Sequence, residues 1–472
     1  MSRFTAVVFL LCSFILSPGY AGWTVTPPAT ITTTSSASED VFCSFDPSTG
    51  SYLATWSQSG SMSSPIYSFY IPGTGWTPPE NIGTSAVDHD VFTVYIPSTG
   101  QFIAAWGDST NNLYPTYSLY TPGMGWSTIN TIALTSSVSE NVFLSLDSLT
   151  GTILATWADN ATAYPMYSFY TPGTGWGPVN TITTSSQSNS DIVTSFDPTS
   201  GNFMATWPDG NSPYYPTYSV YIPGTGWGPP SSISVDSINF IDVYNSFDPT
   251  TGKTVAIWQD GNSSAPTYSF YTPGTGWSPI STIPGSSTVV YDVIPCFNPA
   301  TGQFLAAWGD SSNMNAATYS VYTNGAGWSA PARITPVSLV NFNLYLSYDP
   351  ATQQILGTWD DTSNNAYPTY SFFQGASAAA PSAPAGFSGD VVKTRFLTQT
   401  DRINQLKWAP ANDSTVVQYL LRRNGVLIYT APFAGPYSYE DHNRHKKTTD
   451  VYTLTSQNQS GTESSALTVT FR

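Results

Sequence analysis

Fourteen of the fifteen tryptophans of this chain fall into two series that each recur seven times at about fifty residues. One series is Trp56, Trp106, Trp157, Trp207, Trp258, Trp308 and Trp359. The other is Trp23, Trp76, Trp126, Trp176, Trp227, Trp277 and Trp328, each preceded by glycine. Self-similarity at such a period marks a solenoid, propeller or array, because a single unit of that size cannot bury its own apolar face and must stack on its neighbours.

Within a repeat, short segments rich in aromatic and β-branched residues alternate with turn chemistry, which reads as strands. Asp-Pro-x-x-Gly (Asp46 to Gly50, Asp197 to Gly201, Asp248 to Gly252) closes one hairpin and Pro-Gly-Thr-Gly (Pro72 to Gly75, Pro172 to Gly175, Pro273 to Gly276) a second. Proline presets the turn and glycine accepts positive φ. The expectation is an all-β fold of four antiparallel strands per repeat, each repeat one blade of a propeller. Trp23 opens an outer strand with no third strand before it, and the seventh repeat stops at Ser371-Phe372-Phe373 with no outer strand after it. Pairing residues 22–27 with 370–373 would close a seven-bladed β-propeller and remove its free edges; an open solenoid is the alternative. Pro78, Pro178, Pro229 and Pro279 in the outer strand discourage pairing from outside.

Composition sets the boundaries. Arg3, the apolar run Ala6 to Leu16 and the small-residue site ending at Ala21 have the layout of a signal peptide over residues 1–21, so the chain is expected to be secreted, periplasmic or at the cell surface. No stretch reaches the length of a membrane span. Residues 22–374 would form the propeller, 375–385 (GASAAAPSAPA) a linker and 386–472 a second domain. Between Gly22 and Ala380 there are 22 acidic residues against Lys253 and Arg333, a net charge of −20; beyond them ten basic and seven acidic residues give +3. Repeats so poor in cations cannot neutralise phosphates, which excludes nucleic acid as their partner. Cys43 and Cys296, five repeats apart, read as thiols rather than a staple.

The pattern YSFYTPGTGWGP (Tyr167 to Pro178) resembles the repeat of bacterial secreted β-propellers related to the sialidase-type blade with its Asp-box hairpin. The resemblance covers about 350 residues. It departs where chemistry would reside: the Asp-box aspartate is absent, and three arginines that would clamp a sialic acid carboxylate are reduced here to Arg333. Residues 386–472 resemble a fibronectin type III module, through Trp408 in an early strand, Asn424-Gly425 at a hairpin turn and Tyr452 at the place of a tyrosine corner. Arg444, His445, Lys446 and Lys447 form a basic run that either docks on an acidic surface or is a solvated loop.

Sixteen of the 22 acidic residues of the repeats occupy three recurring positions. The first is the turn aspartate (Asp46, Asp147, Asp197, Asp248, Asp349), expected to cap its own turn. The second begins the first strand: Asp40, Asp90, Asn141, Asp191, Asp242, Asp292 and Asn343, a ring at one channel mouth if that strand is innermost. The third lies two residues after each second-strand Trp: Gln58, Asp108, Asp159, Asp209, Asp260, Asp310 and Asp361. A hairpin turning at Asp-Pro-x-x-Gly sets the second and third positions side by side, pairing Asp90 with Asp108, Asp191 with Asp209, Asp242 with Asp260 and Asp292 with Asp310. Adjacent carboxylates need a proton, a cation or NH donors. Calcium suits such a set of hard oxygens; satisfaction by backbone NH groups is the structural alternative.

Tyr114, Tyr164, Tyr215 and Tyr367, each before proline in the loop after the second strand, have no counterpart in the other three repeats. With Asp108, Asp159, Asp209 and Asp361 nearby, they form a candidate ligand-binding set, since a sugar needs an apolar ring to stack on and fixed polar groups for its hydroxyls. The alternative is rings packed over the blade edge with wet hydroxyls. His89 is the only histidine of the repeats, and seven near-equivalent carboxylate pairs lack the divergent environments that acid–base catalysis needs. The reading is a monomeric, non-catalytic recognition protein for a glycan or an extracellular protein. The alternatives are a structural surface or matrix component and a glycoside hydrolase using one Asp pair.

Overall fold

The computed structural model describes residues 23–471 except 61–62, 286, 336, 376–380, 396–399, 414–415, 446–447 and 459–462. The signal-peptide segment, half of the linker and Lys446-Lys447 lie outside the described residues. The chain divides into two compact units, a large one built from the repeats and a smaller one whose continuous part is Gly375–Arg472.

The repeats form seven antiparallel sheets of five strands each. In one sheet the order is Phe92–Ile96, Gln101–Asp108, Tyr114–Thr121, then Gly125–Trp126 and Asn130–Thr131, both on the far side of the third strand. The expected single outer strand is therefore split in two. Trp126 pairs with Tyr120 but Asn130 with Tyr117, so four residues advance against three, a one-residue bulge that bends the edge and blunts it. The sheet containing Tyr345–Asp349, Gln354–Asp361 and Tyr367–Gln374 takes its outer strands from the beginning of the described chain: Thr24 pairs with Gln374 and Ala29 with Tyr370.

Both tryptophan series have a packing reason. The second strand is covered on both faces, and its tryptophan is fully buried in all seven sheets. Each indole Nε1 donates to a serine 21 residues upstream, from Ser35 for Trp56 to Ser338 for Trp359. Six of the glycine-preceded tryptophans, Trp76 to Trp328, pack edge-on or tilted against tyrosines of their own and the adjacent sheet: Trp126 lies 5.4 Å from Tyr120 and 5.5 Å from Tyr67, and Trp76 lies 5.5 Å from Tyr370. Such pairs add to the stabilisation from burial, which explains why Tyr-Ser-x-Tyr and Gly-Trp recur together.

First strands touch first strands. Ala37–Asp46 contacts both Phe92–Ile96 and Tyr345–Asp349. Alternate residues point the same way from a strand, and the residue two after each ring position (Phe42, Phe92, Phe143, Val193, Tyr244, Ile294, Tyr345) enters one shared cluster. Ring centroids there are 3.7 Å apart for Phe42 and Phe92 and 3.8 Å for Phe42 and Tyr345, and the Tyr244 and Tyr345 hydroxyls meet at 2.5 Å. These side chains pack the first strands of the sheets into one cluster. Cys43 and Cys296 form no disulfide; burial pushes both thiols up to about 12, and the charge of Cys43 further opposes ionisation of Cys296.

The smaller unit has one sheet of Ala385–Arg395, Thr400–Ala409 and Ser438–Asp441, and another of Val426–Pro432, Val416–Arg423, Asp450–Asn458 and Leu467–Phe471, in those orders. Leu406, Trp408, Tyr419, Leu421 and Tyr452 fill its core. Asn424 and Gly425, at φ of 50° and 83°, form the two-residue turn of a hairpin. The Tyr452 hydroxyl donates to the Asp441 carboxylate rather than to backbone, and Arg423 holds the same carboxylate at 2.7 Å.

Candidate functional site

The three aspartate series sit in three environments. At the first position, Asp46 Oδ1 accepts from Ser48 N at 2.8 Å and Ser48 Oγ at 2.7 Å, and Oδ2 from Thr49 Oγ1 at 2.7 Å. Burial opposes its charge, but these donors outweigh burial and hold the carboxyl below its usual range. This is the turn cap that the spacing predicts.

The third series also serves its own loops. Asp108 accepts from Thr110 N at 3.0 Å, Asp209 from Asn211 N at 3.1 Å, and Asp310 from Ser312 N at 3.1 Å. In three sheets the carboxylate also receives the serine that accepts the tryptophan: Trp157 Nε1 donates to Ser136 Oγ, which donates to Asp159 at 2.8 Å, and Ser237 and Ser338 relay likewise to Asp260 and Asp361. Sequence reading overlooked the serines, although Ser35, Ser85, Ser136, Ser186, Ser237, Ser287 and Ser338 share the tryptophan period.

The second series forms a belt of hydrogen bonds from sheet to sheet. Asp40 N donates to Asp90 Oδ1 at 3.0 Å, Asp90 N to Asn141 Oδ1 at 3.0 Å, Asp191 N to Asp242 Oδ1 at 2.8 Å and Asp242 N to Asp292 Oδ1 at 3.2 Å. Asp292 N donates to Asn343 Oδ1 at 3.0 Å, and Asn343 N to Asp40 Oδ1 at 2.9 Å. The Asn141 and Asn343 amides supply the extra donors, to Asp90 and Asp191 and to Asp40. The belt is buried, at 2–8 % exposure, rather than open at a mouth.

Burial is the main cause that lifts these carboxyls, followed in most by the charges of their neighbours. Asp40 rises to about 7 and Asp292 to about 8, and Asp90, Asp191 and Asp242 rise well above the usual range. The expected pairs Asp90 with Asp108, Asp191 with Asp209, Asp242 with Asp260 and Asp292 with Asp310 are joined by no hydrogen bond among the described residues. The belt residue bonds to the next sheet and its expected partner to its own loop. The physical reason is that the first strand of most sheets starts after the belt position, so the hairpin register does not extend to it.

Beside the belt lie residues that differ from sheet to sheet: Glu39, His89, Glu140, Ser190, Ile241, Tyr291 and Phe342. Glu39, His89 and Glu140 are half-buried; the His89 imidazole, 3.1 Å from Glu39, is pulled up to about 9 by that hydrogen bond against burial. On the other side Tyr291 and Phe342 stack at 5.2 Å, with Tyr291 39 % exposed. Tyr114, Tyr164, Tyr215 and Tyr367 are half-buried. Tyr114, Tyr215 and Tyr367 stand directly across from Asp108, Asp209 and Asp361 in the strand register.

No protein-family model and no curated protein matches this chain. Among solved structures it is similar to AofleA from Arthrobotrys oligospora at 12 % identity and a TM-score of 0.39, covering 75 % of this chain and 88 % of that one. A protein of unknown function from Dyadobacter fermentans aligns at 10 % identity and 0.47, over 75 % of this chain and 100 % of that one. The leech intramolecular trans-sialidase complexed with 2,7-anhydro-Neu5Ac aligns at 10 % identity and 0.41, over 73 % and 69 %. At these scores no ligand or activity carries over. Among the described residues no helix is long and apolar enough to cross a membrane.

Proposed function

We propose that this chain is a non-catalytic recognition protein: a seven-bladed β-propeller, closed by its N-terminal strand and followed by a fibronectin type III-like module, that binds a glycan or an extracellular protein. The three-plus-four strand arrangement of the smaller unit supports the module. We read the protein as a secreted or surface monomer.

One contrast carries the reading. The repeated carboxylates are already engaged, with their own loops or with one another. The residues that vary between sheets retain free groups: the hydroxyls of Tyr114, Tyr164, Tyr215 and Tyr367 have no hydrogen-bond partner among the described residues, and Tyr291 offers an exposed ring. Half-buried rings beside fixed carboxylates and loop amides suit stacking on a sugar or packing against a protein. The same contrast disfavours a hydrolase built on an Asp pair, since the loop carboxylates are engaged by donors of their own loops and the belt carboxylates are buried and bonded from sheet to sheet.

The test is a glycan array probed with the whole mature protein, once with calcium and once with chelator. Specific binding reduced roughly tenfold by Tyr215→Ala or Tyr367→Ala, as loss of a stacking ring would do, supports a lectin. A blank array from folded protein rejects the glycan and leaves a protein partner.

A further inference from the structure

The belt has one irregular link. Six of its seven junctions are closed by a backbone NH donating to the neighbouring side chain, as detailed above. Between Asn141 and Asp191 the link runs instead from the side chain, Asn141 Nδ2 donating to Asp191 Oδ2 at 3.3 Å. Asp191 is 2 % exposed, and its Oδ1 is buried with no hydrogen-bond partner. An ionised oxygen in that situation carries a large desolvation cost unless something outside the protein offsets it.

Two further carboxylates converge on the same place. Glu140, Asp191 and Asp242 each bring an oxygen within 4.8 Å of the others. Asp242 accepts the Asp191 amide at Oδ1, and its carboxyl also hydrogen-bonds with that of Asp292. Glu140 takes part in no hydrogen bond with another described residue and is half-buried, which leaves a path from solvent. The repeats contain no lysine or arginine except Lys253 and Arg333, and the nearby His89 is engaged by Glu39.

We propose that Glu140, Asp191 and Asp242 hold a divalent cation of the calcium type at the axis of the repeat unit. All three donors are hard oxygens, with no thiolate or imidazole in the cluster, which excludes the zinc and copper preferences and favours calcium, magnesium or manganese. A calcium ion holds oxygens at about 2.3–2.6 Å, so ligands on opposite sides stand about 4.6–5.2 Å apart, as this cluster allows; magnesium requires a tighter shell. Water would complete the six to eight ligands. The site is independent of the recognition reading and differs from the strand-paired aspartates expected from sequence.

The experiment is calorimetric titration of chelator-stripped mature protein with calcium chloride, alongside thermal melts with calcium, magnesium and chelator. The expected result is one calcium per chain, a higher melting temperature with calcium than with magnesium, and affinity lowered roughly tenfold or more in Glu140→Gln and in Asp191→Asn. Glu140→Gln should melt in chelator like the unmodified protein, because its side chain supports no hydrogen bond. Asp108→Asn should bind as the unmodified protein does. No calcium-dependent heat or melting shift in the unmodified protein would overturn the proposal, and the belt would then be held by protons alone. Calcium binding that persists unchanged in Glu140→Gln would equally overturn it, by assigning the ion to the acidic surface.

Discussion

Aspartate recurs with the same period at the rim turns and at the axis, yet the two regions treat its charge in opposite ways. At the rim, Asp46 collects NH and OH donors from the two residues beyond it, and its carboxyl stays below the usual range. At the axis, Asp292 receives the Asp242 amide from an adjacent sheet and faces other carboxylates under full burial, and it rises to about 8. The rim device is local and each copy stands alone. The axial device is collective, since every member completes the hydrogen bonding of the sheet before it. An identical repeat interval can therefore conceal either independence or mutual dependence.

The largest expected effect comes from cutting the belt. Asn343→Leu removes the acceptor of the Asp292 amide and the donor to Asp40 Oδ2, leaving two buried polar groups unpaired. At about 1–3 kcal/mol for each unsatisfied group, the loss should be roughly 2–6 kcal/mol by urea denaturation. A cost under about 1 kcal/mol would mean that the belt is no more cooperative than the turns.

The next effect is pH dependence. The folded values of Asp40 and Asp292, about 7 and about 8, lie above the ordinary carboxyl value, so the folded state binds protons more tightly than the unfolded chain. Their contribution to stability is complete below the unfolded value near 4 and is lost as pH rises through about 7 to 8. His89, raised to about 9, acts in the same direction at higher pH. In calcium-free buffer the melting temperature should fall between pH 4 and pH 8 by several degrees, roughly 2–4 °C per kcal/mol, and Asp292→Asn should flatten the slope. A melting temperature that rises across this window would show the axial carboxylates to be held as ions, like those of the rim.

The smallest effect belongs to the rim. Asp46→Ala removes one turn cap and should cost about 0.5–2 kcal/mol, by analogy with helix N-caps, with no change in the pH profile between 4 and 8. A loss comparable to Asn343→Leu would erase the distinction between the two regions.

What the sequence made legible follows the same division. Repeat period, strand alternation and the Asp-Pro-x-x-Gly turn are local signals, and they yield the sheets, the hairpins and the caps at Asp46 and Asp197. The bulge that splits the outer strand was invisible because Gly-Trp-x-Pro reads as one extended run. The partners of the belt were invisible for a different reason. Asp40 and Asp90 are 50 residues apart, and only the spacing of assembled sheets decides that they meet, whereas the hairpin register suggested Asp108 for Asp90. Glu140 gives no periodic signal, because the position before the belt residue changes from sheet to sheet, and only the folded chain brings it to Asp191 and Asp242.

The sheet that draws strands from both ends of the repeat region has a consequence for the order of events during synthesis. Thr26 and Phe372 hydrogen-bond across 346 residues, a separation that no local nucleation can anticipate. Six sheets can assemble as the ribosome delivers them, while the earliest strands wait as an unpaired edge until the last repeat emerges. Translation that stops short of residue 367 leaves Thr24–Val25 and Ala29–Thr30 without the strand they pair with, an unpaired edge of the kind that invites association with other chains.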